Sequence, residues 1–227
     1  RELLRAGADV IKIATTGGVV SSRDDPRHGH FRADEVEVAV REAAAARAFV
    51  MSHAIGADGI KTAVRSGVRS IEHGIFLDDE AVDLMLDRGA WLVPTLLAPR
   101  GVLEAAAALD PYVVEKANLV VASHQASVTR ALEAGVKIAF GTDTGVTRHG
   151  RNLEELTLLT DCGLTPAQAL RSATQEAARL LGVEETLGTV EPGKLADLVV
   201  VDGDPCRPEV LSDLAARIRH VYQGGVP

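Results

Sequence analysis

Four short apolar runs in this chain stop on, or enclose, residues able to do chemistry. Val68–Ile71 runs into Glu72-His73-Gly74, and Phe49–His53 ends on a histidine. Ile138–Asp143 ends on an aspartate, and Val10–Ile13 holds Lys12 between two isoleucines. Glycine after a strand lets the backbone turn sharply and leaves the last side chain at the tip. Helical-period segments separate these runs. Strand tips of this kind, repeated along one chain, restrict the fold to a parallel β/α architecture with its working residues at one rim.

The chain in order supports that class. Residues 1–6 read as the end of a helix stopped by Gly7, and residues 8–15 as a strand. A polar loop over 21–32 precedes a helix over 34–48. Strands follow over 49–53, 70–73, 90–97 and 136–143, with helices over 58–66, 78–88, 113–133 and 153–162. Residues 98–112 divide between helix and loop, and 144–152 form a loop. Pro94 interrupts the 90–97 run and belongs near a strand end or bulge. Thr165-Pro166-Ala167-Gln168 reads as a capping box with proline at the first helical position, opening a helix to Leu181 that stops at Gly182. The pattern then becomes turn-rich, with strands over 196–201 and 218–223 and no helix between 183 and 211. The expected organisation is a barrel-like domain over 1–182 and a small β subdomain over 183–227.

Composition narrows the partners. The 227 residues are 46% hydrophobic, enough for a sizeable core, but somewhat short of the about 250 residues of a complete (β/α)8 barrel. A net charge of −8 and 3% aromatic content fit neither a phosphate-tracking face nor a base-stacking surface, so no nucleic-acid partner is expected. No apolar run reaches the ~20 residues that cross a bilayer. Cys162 and Cys206 lack zinc-ligand spacing and fit a reducing, cytoplasmic setting. The chain opens on Arg1 inside a helical segment, so an upstream portion is expected.

His53 and His73 stand one strand–helix repeat apart, which puts both imidazoles at one rim of adjacent parallel strands. One such histidine is most simply a satisfied polar strand end; two, joined by Asp143 at a third tip, favour a metal site. Asp143 lies in Gly-Thr-Asp-Thr-Gly and reads either as a turn or cap aspartate or as a metal ligand and general base. Lys12, flanked by isoleucines, reads as buried. It either snorkels to the rim or, with its pKa lowered, adds CO2 to become an anionic carbamate able to bridge two ions.

The ordered segments IKI, SHA, SIEHG, PTL, GTDTG, LTPAQALRSAT and GTVEPGKLADLVVVDGDP resemble the amidohydrolase superfamily, in its imidazolonepropionase-like and Xaa-Pro dipeptidase-like branch. The resemblance covers nearly the whole chain. It implies an α/β fold, a (β/α)8 TIM-type barrel with a small β-sandwich, and two divalent metal ions, usually zinc. By the same resemblance Lys12 would be the carboxylated bridging lysine of barrel strand 4. His53 and His73 would be metal ligands of strands 5 and 6, and Asp143 the strand 8 ligand and proton shuttle. His149 resembles a substrate-side histidine on the following loop. The function implied is hydrolysis of an amide or dipeptide-like C–N bond in a small molecule by a metal-bound hydroxide. Ester or lactone hydrolysis, deamination and an inactive fragment are the alternatives.

Two departures bear on this reading. The family's His-X-His strand is absent, since His28-Gly29-His30 follows the lysine strand instead of preceding it. The chain therefore reads as strands 4–8 of the barrel, with the N-terminal strands missing and the sandwich incomplete. Two open sheet edges follow, a template for homo-oligomers. Secondly, Ile55 stands where dipeptidase relatives often carry a carboxylate-holding tyrosine, and isoleucine has no hydrogen to donate.

Overall fold

The protein was analysed as a computed structural model that describes residues 1–21 and 23–227. Five parallel strands form one sheet in sequential order: β1 (Val10–Ala14), β2 (Phe49–Ala54), β3 (Ser70–His73), β4 (Trp91–Val93) and β5 (Lys137–Ile138). Sequential order is what strand–helix–strand repeats impose when each crossover helix packs back on the sheet. After α1 (Glu2–Arg5), the crossovers are α2 (Ala33–Ala45), α3 (Ala57–Arg65), α4 (Asp79–Arg88), and the pair α5 (Leu97–Glu104) and α6 (Pro111–Ala134). α7 (Glu154–Asp161) follows the sheet. α8 (Pro166–Arg171) then continues through a π turn at Ser172–Glu176 into α9 (Ala177–Leu181).

Local chemistry explains the boundaries. The Asp78 side chain accepts the Ala81 N–H at 2.8 Å to open α4, and Gly89 closes it at φ 63°. Asp110 accepts the Tyr112 N–H at 2.8 Å, and Pro111 opens α6. The capping box forms as expected: the Thr165 hydroxyl accepts from the Gln168 N–H, and the Gln168 side chain accepts from the Thr165 N–H at 2.8 Å.

The side-chain period of two explains the core. Ile11 and Ile13 of β1 pack with Val50, Ile71 and Leu92 against the helices. The register lays Lys12, Met51, Ser70, Trp91 and Lys137 in one row on the other face. The next row on that face is Ala14, His53, Glu72 and Val93.

Three expectations are corrected. β4 ends at Val93, because Pro94 has no N–H to donate and Thr95 turns into the left-handed region at φ 57°. β5 stops at Ile138 instead of running to Asp143. The Ala139 N–H still reaches the Leu92 carbonyl, but the Phe140 N–H turns to the Ser172 carbonyl in the π turn. The tail is not free of helix before 211. Pro208 opens α10 (Pro208–Leu211), α11 (Leu214–Arg217) follows, and the two lie between the strands of the antiparallel pair β6 (Leu198–Val201) and β7 (Ile218–Tyr222). Leu211 and Leu214 are buried in the same core as the sheet, which is what makes these short helices worth forming.

Candidate metal and acid–base site

Register alone would separate the two histidines. His53 pairs with Glu72, so those two side chains share a face, and His73, one residue on, should point away. The backbone reverses this. His73 sits at φ 78°, a region costing about 1–3 kcal/mol for a non-glycine residue, and its ring swings back beside His53. The two ring centroids are 4.6 Å apart, edge to face. Thr95 and Asp143 take the same left-handed conformation at φ 57° and 51°. Strain at three neighbouring strand tips is the mark of a constrained site.

Each histidine is held by one nitrogen. His53 Nε2 lies 3.1 Å from the Gly17 carbonyl, which only accepts, so Nε2 carries the proton and Nδ1 is bare. The Thr95 hydroxyl donates to the Pro94 carbonyl at 2.6 Å, so its oxygen accepts from His73 Nδ1 at 2.6 Å and His73 Nε2 is bare. Burial, the Lys12 charge and the neighbouring imidazole push the His73 pKa well below that of free histidine. Burial also lowers His53, against the Gly17 hydrogen bond and Asp143, which raise it. Both rings are therefore neutral near pH 7, each with one nitrogen tied and one offered. That suits zinc or a similar ion, whose histidine ligands usually anchor their second nitrogen to a carbonyl or oxygen acceptor. Among the described residues no three His, Cys, Asp or Glu side chains are placed to hold one metal ion.

The remaining sequence candidates divide. Asp143 is exposed at the end of the sheet, and its charge is felt by both His53 and Glu72. Its turn is tied by the Thr142–Thr144 hydroxyl pair at 2.6 Å and by the Asn152 amide donating to Thr144 Oγ1 at 2.9 Å. Lys12 lies within electrostatic range of His53, Glu72 and His73. Its expected burial is corrected: Lys12 is exposed, because β1 is an edge strand and its inner face is uncovered among the described residues. His149 is exposed on its loop and does not join the group.

The sequence reading passed over Glu72, Thr95, Lys116 and His124. Glu72 is buried in the His53 row, and burial pushes its pKa up to about 7 although the Ser70 hydroxyl donates to it at 2.6 Å. His124, buried on α6, donates from Nε2 to the His73 carbonyl at 2.9 Å. Strand alternation in Ser70–His73 was the available signal for Glu72; the others had none.

Beside the histidines lies a cavity of about 200 Å³, whose far wall is apolar: Ile55, Ile75, Val102, Val120 and Val146. Asp143 lines its rim.

The amidohydrolase family pattern matches residues 1–226. The chain belongs to the amidohydrolase family. Ochratoxinase from Aspergillus niger is 33% identical over 229 residues, covering 98% of this chain and 46% of that protein. The crystal structure of a Xaa-Pro dipeptidase with bound methionine superposes with a TM-score of 0.92 at 41% identity, covering 98% of this chain and 55% of the other. A prolidase solved with N-methylphosphonate-L-proline gives 0.94 at 37% identity, covering 100% and 56%. This amidohydrolase chain thus spans about half the length of the relatives it matches. No helix among its described residues is long and apolar enough to cross a membrane.

Proposed function

We propose that this chain carries the metal-binding and proton-transfer part of a hydrolase for C–N bonds in small amides or dipeptide-like molecules. The observation behind this reading is the pair of neutral histidines, each with one nitrogen tied and one free, which line one cavity together with Asp143. His53 Nδ1 and His73 Nε2 would hold a divalent ion, with Asp143 and a carbamate on Lys12 as further oxygen donors. The exposure of Lys12 leaves its Nζ open to CO2. Such an ion, when bound, polarises a carbonyl and makes water acidic enough to attack near neutral pH.

The protein's own groups do the rest. Thr95 and the Gly17 carbonyl orient the imidazoles. The Asp143 carboxylate takes the proton from the attacking water and returns it to the leaving nitrogen, which must be protonated to depart. The wall formed by Ile55, Ile75, Val102 and Val120 excludes water and offers no partner to a charged group, so the part of the substrate beside the carbonyl is neutral and apolar. The family likeness to ochratoxinase and Xaa-Pro dipeptidases supports an amide or peptide bond over an ester.

The test is zinc content and hydrolysis of neutral dipeptides by residues 1–227, set against the same chain with His53→Ala or Asp143→Asn. We expect zinc to be lost in the first variant. In the second, turnover should fall by about 100-fold or more, the scale of a missing general base. Wild-type protein that takes up no zinc, or zinc content indifferent to His53, would sink the proposal.

A further inference from the structure

Helix α6 reads in sequence as an ordinary amphipathic helix, but its buried face carries a polar lane. Lys116, Val120, His124 and Ser127 are each buried and fall on one side of the helix at i, i+4, i+8 and i+11. His124 holds the His73 carbonyl. The Ser127 hydroxyl donates to the Gly74 carbonyl at 2.7 Å and accepts from the Leu77 N–H at 3.1 Å. Both contacts therefore grip the tip of β3. Val120 lines the cavity.

Lys116 grips the other tip. Its ammonium donates to the carbonyls of Gly18 at 3.2 Å, Asp24 at 2.9 Å and Ser21. The Tyr112 ring lies over it at 4.7 Å. Three donors meet three acceptors, and none of the acceptors is a carboxylate. Burying an ammonium carries a desolvation cost, and a methionine would fill the same space without it. What only the cation does is collect carbonyls from a loop that has no strand or helix to satisfy them. The loop lies over the site. Gly18, Val19, Val20 and Ser21 line the cavity, and the Gly17 carbonyl, next to a carbonyl held by Lys116, takes the His53 Nε2 proton. The packing is close enough that a Cβ on Gly17 would come within 2.5 Å of the Asp25 carbonyl oxygen.

We propose that Lys116 is a positioning residue: by gathering the carbonyls of the β1–α2 loop it aims the Gly17 carbonyl at His53, and so decides which His53 nitrogen is left free for a ligand. The consequence for metal binding rests on the functional reading above; the hydrogen-bond arrangement does not.

The test is histidine-selective 15N NMR of the metal-free chain, with Lys116→Met beside wild type. In wild type, His53 shows a single tautomer protonated at Nε2. In the variant we expect His53 to average between tautomers while His73, held by the Thr95 hydroxyl, and His124, held by the His73 carbonyl, keep theirs. A folded variant whose His53 signals are unchanged, or in which all three histidines shift alike, overturns the proposal, since a purely structural lysine would lower the melting temperature without singling out His53. If the variant does not fold, the wild-type 15Nζ resonance decides. An ammonium tied to three carbonyls exchanges its protons far more slowly than the exposed lysines, and equal exchange rates overturn the proposal. In a zinc titration the variant should bind about 10-fold or more weakly, the usual scale for loss of an outer hydrogen-bond partner. Wild type that binds no zinc would defeat the functional reading and leave the NMR result standing.

Discussion

At the scale of single residues, the site depends on groups that never touch a ligand. Thr95 accepts the His73 Nδ1 proton only because its own hydrogen is engaged with Pro94. Thr95→Val keeps the shape and removes the acceptor, and should weaken zinc binding by about 10- to 100-fold in calorimetric titration; equal affinity would show that the tautomer is set elsewhere. Behind Thr95, Glu155 is fully buried and accepts the N–H groups of Leu96 and Leu97, each at 2.7 Å. Burial raises its pKa to about 7, with the two N–H bonds pulling the other way. The unfolded chain releases this proton near pH 4.5 and the folded chain near 7. The contribution is therefore full below about pH 4.5 and is lost as pH rises through about 7, amounting to roughly 3 kcal/mol. Buried histidines act in the opposite sense over the same range, so the quantity to measure is the difference between wild type and Glu155→Gln in urea unfolding from pH 5 to 8. That difference should change with pH in the stated direction, and a constant difference would contradict it.

At the scale of elements, the strand tips are held by turns that tolerate little change. Gly74 follows His73 at φ 59°, and a Cβ there would lie 2.4 Å from Leu92 Cδ1. Gly74→Ala combines a left-handed alanine with a clash in the core and should cost about 2 kcal/mol or more in thermal unfolding. Thr165→Ala, at the start of α8, removes a cap far from the site and should cost about 1 kcal/mol. A reversed order of these two losses would mean that the tip of β3 relaxes more freely than its packing indicates. The π turn at Ser172–Glu176 has its own local purpose, since its Ser172 carbonyl takes the Phe140 N–H just where the chain leaves the sheet for Asp143.

At the scale of the whole molecule, the sheet has two edges among the described residues, β1 and β5. The Thr15 N–H bonds back to the His53 carbonyl, and N–H directions alternate along a strand, so those of Val10, Lys12 and Ala14 face outward. Val199 and Val221 of the tail are more than half exposed. An unpaired strand edge is a template for association. We expect the apparent mass to rise with concentration in sedimentation equilibrium and Val10→Pro to lower it, because proline at the first strand position removes an outward donor and no ladder bond. A variant that associates like wild type would place the contact elsewhere.

What the sequence determined by itself was everything written in local periods and local caps. The alternation of strands and helices, the strand tips near His53 and at His73, the Thr165–Gln168 box and the glycine stops at 89, 135 and 182 are readable because each depends on residues within one or two turns of one another. The ordered motifs likewise sufficed to place the chain in its family. The tertiary structure alone decided the backbone reversal at His73, the exposure of Lys12, the early end of β5, the joining of Leu211 and Leu214 to the main core, and the role of α6. The physical reason is common to most of these. The groups that orient the site are backbone carbonyls of Gly17, Gly18, His73 and Ser172, and every residue type has a carbonyl. Which of them meets His53, Lys116, His124 or Phe140 depends on where distant segments come to lie, and no amino-acid letter records that.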